Sequence, residues 1–264
     1  MNNSDTPTGA VVAGAFAAVR RLAWDTESTG PDPLRDRIVT AAIVVRGGGR
    51  PDRDFSWLIN PGVPIPPEAT AVHGIDDAKA QAEGQDPKTA LDEIATNLFR
   101  AAAWGMPVIA FNQSFDWTIL HYDLKRHGLT TVEDRLAEYA ADLPLPLIDP
   151  HVIDKQVDRY VKGSGQRKLQ PTAVRYGVEL EDWHTAEADA LAALRIAEAQ
   201  FERFPHLNNY APAALFAAQR TWRAEQAADL QSYFRTAPPE RGGDPNKVID
   251  GSWPLIPAQR GGTA

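Results

Sequence analysis

Arg21-Leu22-Ala23-Trp24-Asp25-Thr26-Glu27-Ser28-Thr29-Gly30-Pro31 is the stretch that decides how this chain folds. Arg21 to Trp24 has the short apolar make-up of a strand, and Ser28 to Pro31 has that of a turn. Asp25 and Glu27 stand two apart between them, and on an extended backbone such residues point to the same face. The end of an apolar strand therefore presents two carboxylates side by side. Like charges held that close repel, and a cation between them removes the repulsion. A surface strand that merely ends in polar residues has the same spacing, so the pair alone leaves both readings open.

Working outward, Ile38 to Val45 is a nearly continuous apolar run, the pattern of a buried strand. Gly47-Gly48-Gly49 makes a turn, and Asp54 to Asn60 returns as a third strand, which together give an antiparallel meander. Pro61, Pro64, Pro66 and Pro67 predict an irregular loop up to Val72-His73-Gly74-Ile75. Beyond it the pattern predicts a helix over 89–103, a strand over 107–111 and a helix over 115–126 stopped by Gly128. A helix over 131–141, a last short strand ending at Asp149 and a helix over 150–160 follow. Gly163 to Gly165 reads as a flexible break, 171–176 as a short helix and 186–204 as a long one ended by Pro205.

That order implies an α/β fold: a mixed five-stranded sheet, three strands in the meander and two parallel to them, with helices on both faces. The expected organisation is a flexible arm over 1–17, a main domain over 18–207, a helical appendage over 208–237 and a loosely ordered tail over 238–264. Basic residues number 27 and acidic residues 35, a formal charge of -8. That balance argues against a protein that grips duplex backbone without sequence preference, which is usually basic. The chain has no Cys, which excludes disulfides, thiolate metal sites and a cysteine nucleophile. No stretch approaches the ~20 apolar residues of a membrane span. Val11 to Val19 makes a poor export signal, so the cytoplasm is the expected compartment.

Two further carboxylate positions stand at element ends. Asn112-Gln113-Ser114 links a strand to a helix and delivers Asp116 into the first helical turn. There it either complements the helix dipole or reaches the sheet edge. Asp189 is followed by Ala190-Leu191-Ala192-Ala193 at the start of a closely packed helix, where a carboxylate is costly unless paired or metal-bound. His184 stands five residues earlier. Asp149 reads first as a cap for the helix that begins at Pro150. Lys162, Arg167 and Lys168 flank the Gly-rich break, as phosphate contacts or as a solvated basic cluster. For Trp183 and Trp222, core packing is the default role.

Taken together, these segments resemble the DnaQ-like exonuclease superfamily, which includes the proofreading subunit of bacterial DNA polymerase III and has a ribonuclease-H-like fold. Its first motif, Asp-x-Glu with Thr-Gly following, is matched by Asp25-Thr26-Glu27-Ser28-Thr29-Gly30. Its second, Asn-x-x-Phe-Asp, is matched by Asn112-Gln113-Ser114-Phe115-Asp116, and its third by His184 with Asp189 five positions on. His73-Gly74-Ile75 matches a loop motif. The third motif carries His rather than Tyr, which resembles the DEDDh subclass. Trp24 replaces the more usual Phe, and Phe111 stands where the family often has His.

The resemblance implies a 3′–5′ exonuclease acting on single-stranded DNA and releasing nucleoside 5′-monophosphates. Two divalent ions, Mg²⁺ or Mn²⁺, would be held by Asp25, Glu27, Asp116 and Asp189, with His184 as general base on the attacking water. Thr26, Glu27, His73, Gly74, Ile75, Asn112 and Phe115 would contact substrate, Glu27 at the 3′-hydroxyl and Ile75 against the last base, with core closure as the other reading of the Gly74-Ile75 pair. An exoribonuclease would use the same metal chemistry, and a non-catalytic binding or docking module is the remaining rival. The C-terminal helix would either clamp back onto the nuclease or dock a replication or repair partner. Replication, repair and nucleotide salvage all stay open as settings.

Overall fold

The computed structural model of the chain describes residues 16–140, 143–179 and 185–258. Its sheet contains β1 (Arg21–Ser28), β2 (Ile38–Arg46), β3 (Arg53–Leu58), β4 (Val108–Ile109) and β5 (Leu147–Ile148). The spatial order is β3-β2-β1-β4-β5, with β1, β2 and β3 antiparallel and β4 and β5 parallel to β1. This is the mixed five-stranded sheet expected from sequence, and it has the ribonuclease-H-like architecture. Among the described residues, the α-helices are α1 (Pro67–His73), α2 (Asp77–Glu83), α3 (Pro87–Ala103), α4 (Ser114–Arg126), α5 (Val132–Tyr139), α6 (Pro150–Val157), α7 (Leu169–Arg175), α8 (Ala186–Arg203) and α9 (Pro212–Thr236). None of them is long and apolar enough to cross a membrane.

The apolar run of β2 follows from burial on both faces. Ala41, Ile43 and Val45 join Leu22 and Trp24 of β1 against Leu91, Ile94 and Leu98 of α3 and Ile119 and Leu120 of α4. Val44 and Ala23 face the other way, against Ala190, Leu194 and Phe201 of α8. Asp25 and Glu27 are in phase with Ala23, so the alternation of β1 carries them to the α8 side. Arg21, at the start of β1, is buried and ion-paired with Glu198 of α8, which fixes that helix along the strand.

One expectation is corrected, and two others meet buried aromatic residues. The Pro-rich stretch read as an irregular loop forms α1, because Pro67 occupies its first turn, where a missing N–H costs nothing. It is followed by α2, where the side chain of Asp76 accepts from Lys79 N at 2.8 Å. The arm expected over 1–17 lies outside the described residues as far as residue 15. Phe16, however, is buried and stacks on Phe201 at 4.1 Å between ring centroids. The tail expected to be loose from 238 onward returns to the body: Trp253 is 5% exposed and packs on Phe216.

Candidate active site

α8 runs across β1 and β2, and Asp189 sits in its first turn. Thr185 caps that turn by accepting from Ala188 N at 3.2 Å. The packing of Ala190 and Leu194 against Ala23 and Val44 sets Asp189 over the end of β1. One carboxylate oxygen from each of Asp25, Glu27 and Asp189 lies within 4.8 Å of the other two. Burial pushes the Asp25 carboxyl well above its usual range, and the charges of Asp116, Asp189 and Glu27 push it further. Glu27 is pushed up to about 7 by burial, then by Asp189 and Asp116. The charges named here as acting on these two groups are of their own sign. A cation offsets such repulsion, and an all-oxygen donor set suits a hard divalent ion.

Asp116, the third residue of α4, comes in from the opposite face of the sheet and is 3% exposed. Its Oδ1 accepts from Thr26 N at 3.0 Å and from Thr26 Oγ1 at 2.7 Å. Burial pushes its carboxyl up to about 7, against the pull of the Thr26 bonds. The structure therefore brings three of the four expected ligands together and places the fourth beside them, tied to the residue between Asp25 and Glu27. His184, expected as the base, lies outside the described residues, one position before Thr185, as does Trp183.

The link that delivers Asp116 is held from an unexpected direction. Asn112 has φ 62°, a left-handed conformation that Asn tolerates better than most residues. Its N–H donates to Asp149 Oδ1 at 3.0 Å, and that of Gln113 donates to Asp149 Oδ2 at 3.0 Å. Asp149 also caps α6, accepting from His151 N at 3.0 Å and Val152 N at 3.4 Å. Trp253 Nε1 donates to its Oδ2 at 3.2 Å. Asp149 is thus both the expected cap and the anchor of the loop that positions Asp116. After β1, Asp36 pins the other loop by accepting from Thr29 Oγ1 at 3.1 Å and Asp32 N at 2.7 Å. A Cβ on Gly30 would lie 2.6 Å from that carboxylate, which accounts for the glycine in Ser28-Thr29-Gly30.

Two clefts meet at this cluster. One, of about 710 Å³, is lined by Asp25, Glu27 and Asp189 together with Asn112, Lys155 and Lys168. The other, of about 600 Å³, is lined by Glu27, Ser28, Gly30, Val72, His73 and Phe115. Thr26 and Glu27 border both. Gly74 is the left-handed C-cap of α1, with φ 73°. Ile75 is buried with Val39, Ile65 and Ala80, as the core-closure reading of Gly74-Ile75 has it. Val72, one turn back on α1, is 55% exposed and borders both clefts. Sequence reasoning missed Val72 because the Pro-rich stretch hid the helix that presents it. Arg167 lines the larger cleft but its guanidinium is committed to Asp154 at 2.6 Å.

A family model described as Exonuclease matches residues 22–197, from the second residue of β1 to near the end of α8. The chain belongs to the Exonuclease family. The matched span contains all four acidic positions and both clefts' strand and α1 walls, and it ends before α9. Among relatives, the chain is 27% identical over 177 residues to the PolC-type DNA polymerase III of Lacticaseibacillus paracasei, which covers 67% of this chain and 11% of that protein. It is 37% identical over 102 residues to a DNA polymerase III subunit epsilon-like protein of Rhodobacter capsulatus, covering 38% of this chain and 14% of that one. It therefore spans only a small part of the curated relatives it matches.

Solved structures share the fold of this Exonuclease family chain. Exonuclease I from Methylocaldum szegediense matches with a TM-score of 0.58 and 22% identity, over 72% of this chain and 42% of that one. E. coli exonuclease I in complex with a dT13 oligonucleotide matches with a TM-score of 0.60 and 19% identity, over 73% and 43%. The matched span 22–197 contains Asp25, Glu27, Asp116 and Asp189, the carboxylates that the sheet, α4 and α8 gather here. In this member, α9 and the tail add Gln219 and Trp253 to the support of Asp149.

Proposed function

We propose that this chain is a divalent-metal-dependent 3′–5′ exonuclease that releases nucleoside 5′-monophosphates from the end of single-stranded DNA. The convergence of Asp25, Glu27 and Asp189 within 4.8 Å, open to a cleft, carries this reading. Membership of the Exonuclease family and the DNA-bound relative support it. The donor set fits the metal: its oxygens are close, half-buried and mutually repelling.

Asp25, Glu27 and Asp189 would hold two Mg²⁺ or Mn²⁺ ions, with Asp116 completing the set. When bound, the ions supply Lewis-acid activation of the phosphodiester and offset the charge that builds on its oxygens. Thr26 keeps Asp116 aimed at the cluster through its two bonds to Oδ1. His184 takes the proton of the attacking water on an imidazole nitrogen, a task for which an ordinary histidine pKa near ~6.5 is well placed. The terminal nucleoside sits in the smaller cleft between Phe115 and Val72, with Glu27 at its 3′-hydroxyl. The remaining strand leaves along the larger cleft.

The reading is tested by digesting 3′-labelled and 5′-labelled single-stranded DNA and RNA of one sequence, with Mg²⁺ or Mn²⁺ and with EDTA. Stepwise shortening from the 3′ end, nucleoside 5′-monophosphate as product and silence in EDTA are expected. His184→Ala should cut turnover while leaving Mn²⁺ affinity near wild type. Internal cutting, shortening from the 5′ end, or full activity in EDTA would each overturn the proposal.

A further inference from the structure

We propose that Lys155 on α6 and Arg223 on α9 together seat a phosphate of the strand that leaves along the larger cleft, so that the appended helix is a wall of the substrate site. The inference rests on reading this cleft as an exonuclease site. It begins with the register of α9. Gln219, Arg223, Gln226 and Leu230 are spaced by four, three and four residues, which puts them on one helix face. Gln219 Nε2 donates to Leu147 O at 2.9 Å, and its Oε1 accepts from Asp149 N at 2.7 Å. Gln226 Nε2 donates to Val152 O at 3.0 Å. Leu230 lines the cleft that holds Asp25, Glu27 and Asp189. Arg223 lies between these contacts, so the same face turns it toward α6.

Lys155 lines that cleft, and both it and Arg223 are half-buried. Arg223 and Arg167 act on Lys155 as like charges, while Asp149 and Asp154 act on it with the opposite sign. Burial and these cations bring the Lys155 ammonium down to about 8, and burial also lowers the Arg223 guanidinium. Two of the nearby acids are already committed, and a third, Asp250, acts on Arg223 and accepts from Ser252 N at 2.6 Å. Asp149 accepts from Asn112, Gln113, His151, Val152 and Trp253. Asp154 is taken by Arg167 and Arg175. His151, between Lys155 and the cleft-lining Phe111, is driven well below its usual pKa by burial and by the same cations, so it is neutral.

Converging, partly desolvated cations next to a site for nucleic acid call for an anion with several acceptor oxygens, and a backbone phosphate has them. Arg223 stands beyond residue 197, where the matched family region ends. The appendage thus supplies Arg223, whereas Lys155 lies within the matched span.

The test compares wild type with Lys155→Gln, Arg223→Gln, and the charge-keeping Lys155→Arg and Arg223→Lys. Substrates are a short oligothymidylate and an aryl ester of thymidine 5′-monophosphate, which has no upstream phosphate. Each Gln variant should raise KM for the oligonucleotide about ten-fold with little change in kcat. The slope of log affinity against log salt should fall by about 0.7 for each lost contact. The charge-keeping variants should recover most of the loss, and ester hydrolysis should stay at the wild-type rate. Unchanged oligonucleotide kinetics in both Gln variants, or equal loss on ester and oligonucleotide, would overturn the seat and leave the exonuclease reading intact. A wild type inert on both substrates would overturn that reading. Fluorescence anisotropy of a labelled oligothymidylate then decides the seat alone, and equal affinity across wild type and Gln variants counts against it.

Discussion

Thr26 gives both its backbone N–H and its hydroxyl to the same oxygen of Asp116, at 3.0 and 2.7 Å, across 90 residues of chain. The two residues come from opposite sides of the motif: Thr26 from the strand that carries Asp25 and Glu27, Asp116 from the helix on the other face of the sheet. The bond pair therefore locks the fourth carboxylate to the register of the first two. Thr26→Val keeps the side-chain shape and the backbone bond but removes the hydroxyl. It should lower stability by about 1 kcal/mol and turnover by about ten-fold, with Thr26→Ser restoring both. Thermal melting and steady-state kinetics measure the two effects, and a Val variant with wild-type turnover would show that Asp116 needs no such anchor.

Asp25→Asn replaces a carboxyl that burial and like charges hold well above its usual range. In EDTA near neutral pH this variant should melt higher than wild type, because the folded chain no longer bears the cost of holding a buried carboxyl that the unfolded chain ionises freely. Loss of activity should be at least about 100-fold, and the rise in Tm on adding Mn²⁺ should largely disappear. A variant that melts lower than wild type without metal would show that the carboxylate stabilises the fold in its own right.

The same repulsion sets a pH dependence with a definite sign. Glu27 and Asp116 titrate at about 7 in the folded, metal-free chain, against 4.5 and 3.8 ordinarily. Between these values the folded state holds more protons than the unfolded one, so stability falls as pH rises through the window. Metal binding must displace those protons, which makes its stabilisation grow with pH. Melting in EDTA and in Mn²⁺ should therefore converge near about pH 5 and diverge toward about pH 8. Curves that stay parallel would mean the carboxylates ionise independently of the metal.

Trp253 returns from the tail to donate to Asp149 Oδ2 at 3.2 Å while filling a gap beside Phe216. Trp253→Phe keeps most of the packing and loses only the indole N–H, a cost of about 1 kcal/mol. Trp253→Ala should cost about 3–5 kcal/mol. If the tail positions the site, the Phe variant should also lower turnover by loosening the 112–113 link that Asp149 holds. Turnover unchanged in Trp253→Phe would confine the tail to packing.

Much of this was legible in the letters of the chain. The alternation of Arg21–Glu27 put Asp25 and Glu27 on one face, and the unbroken apolar run of Ile38–Val45 required a strand covered on both sides. The segments carrying Asp116 and Asp189 were readable from their positions at helix starts. These are local properties, because backbone geometry ties neighbouring residues to faces and ends. Sequence failed where prolines outweighed helix signals, so α1 and its exposed Val72 went unseen. Contacts between distant segments were beyond it altogether. The crossing of α8 over β1, the bonds from Thr26 to Asp116, and the reach of Gln219 and Trp253 to Asp149 depend on how whole faces pack. Spacing along a chain fixes the direction a side chain takes, whereas the distance between two elements is set by the volume of everything between them.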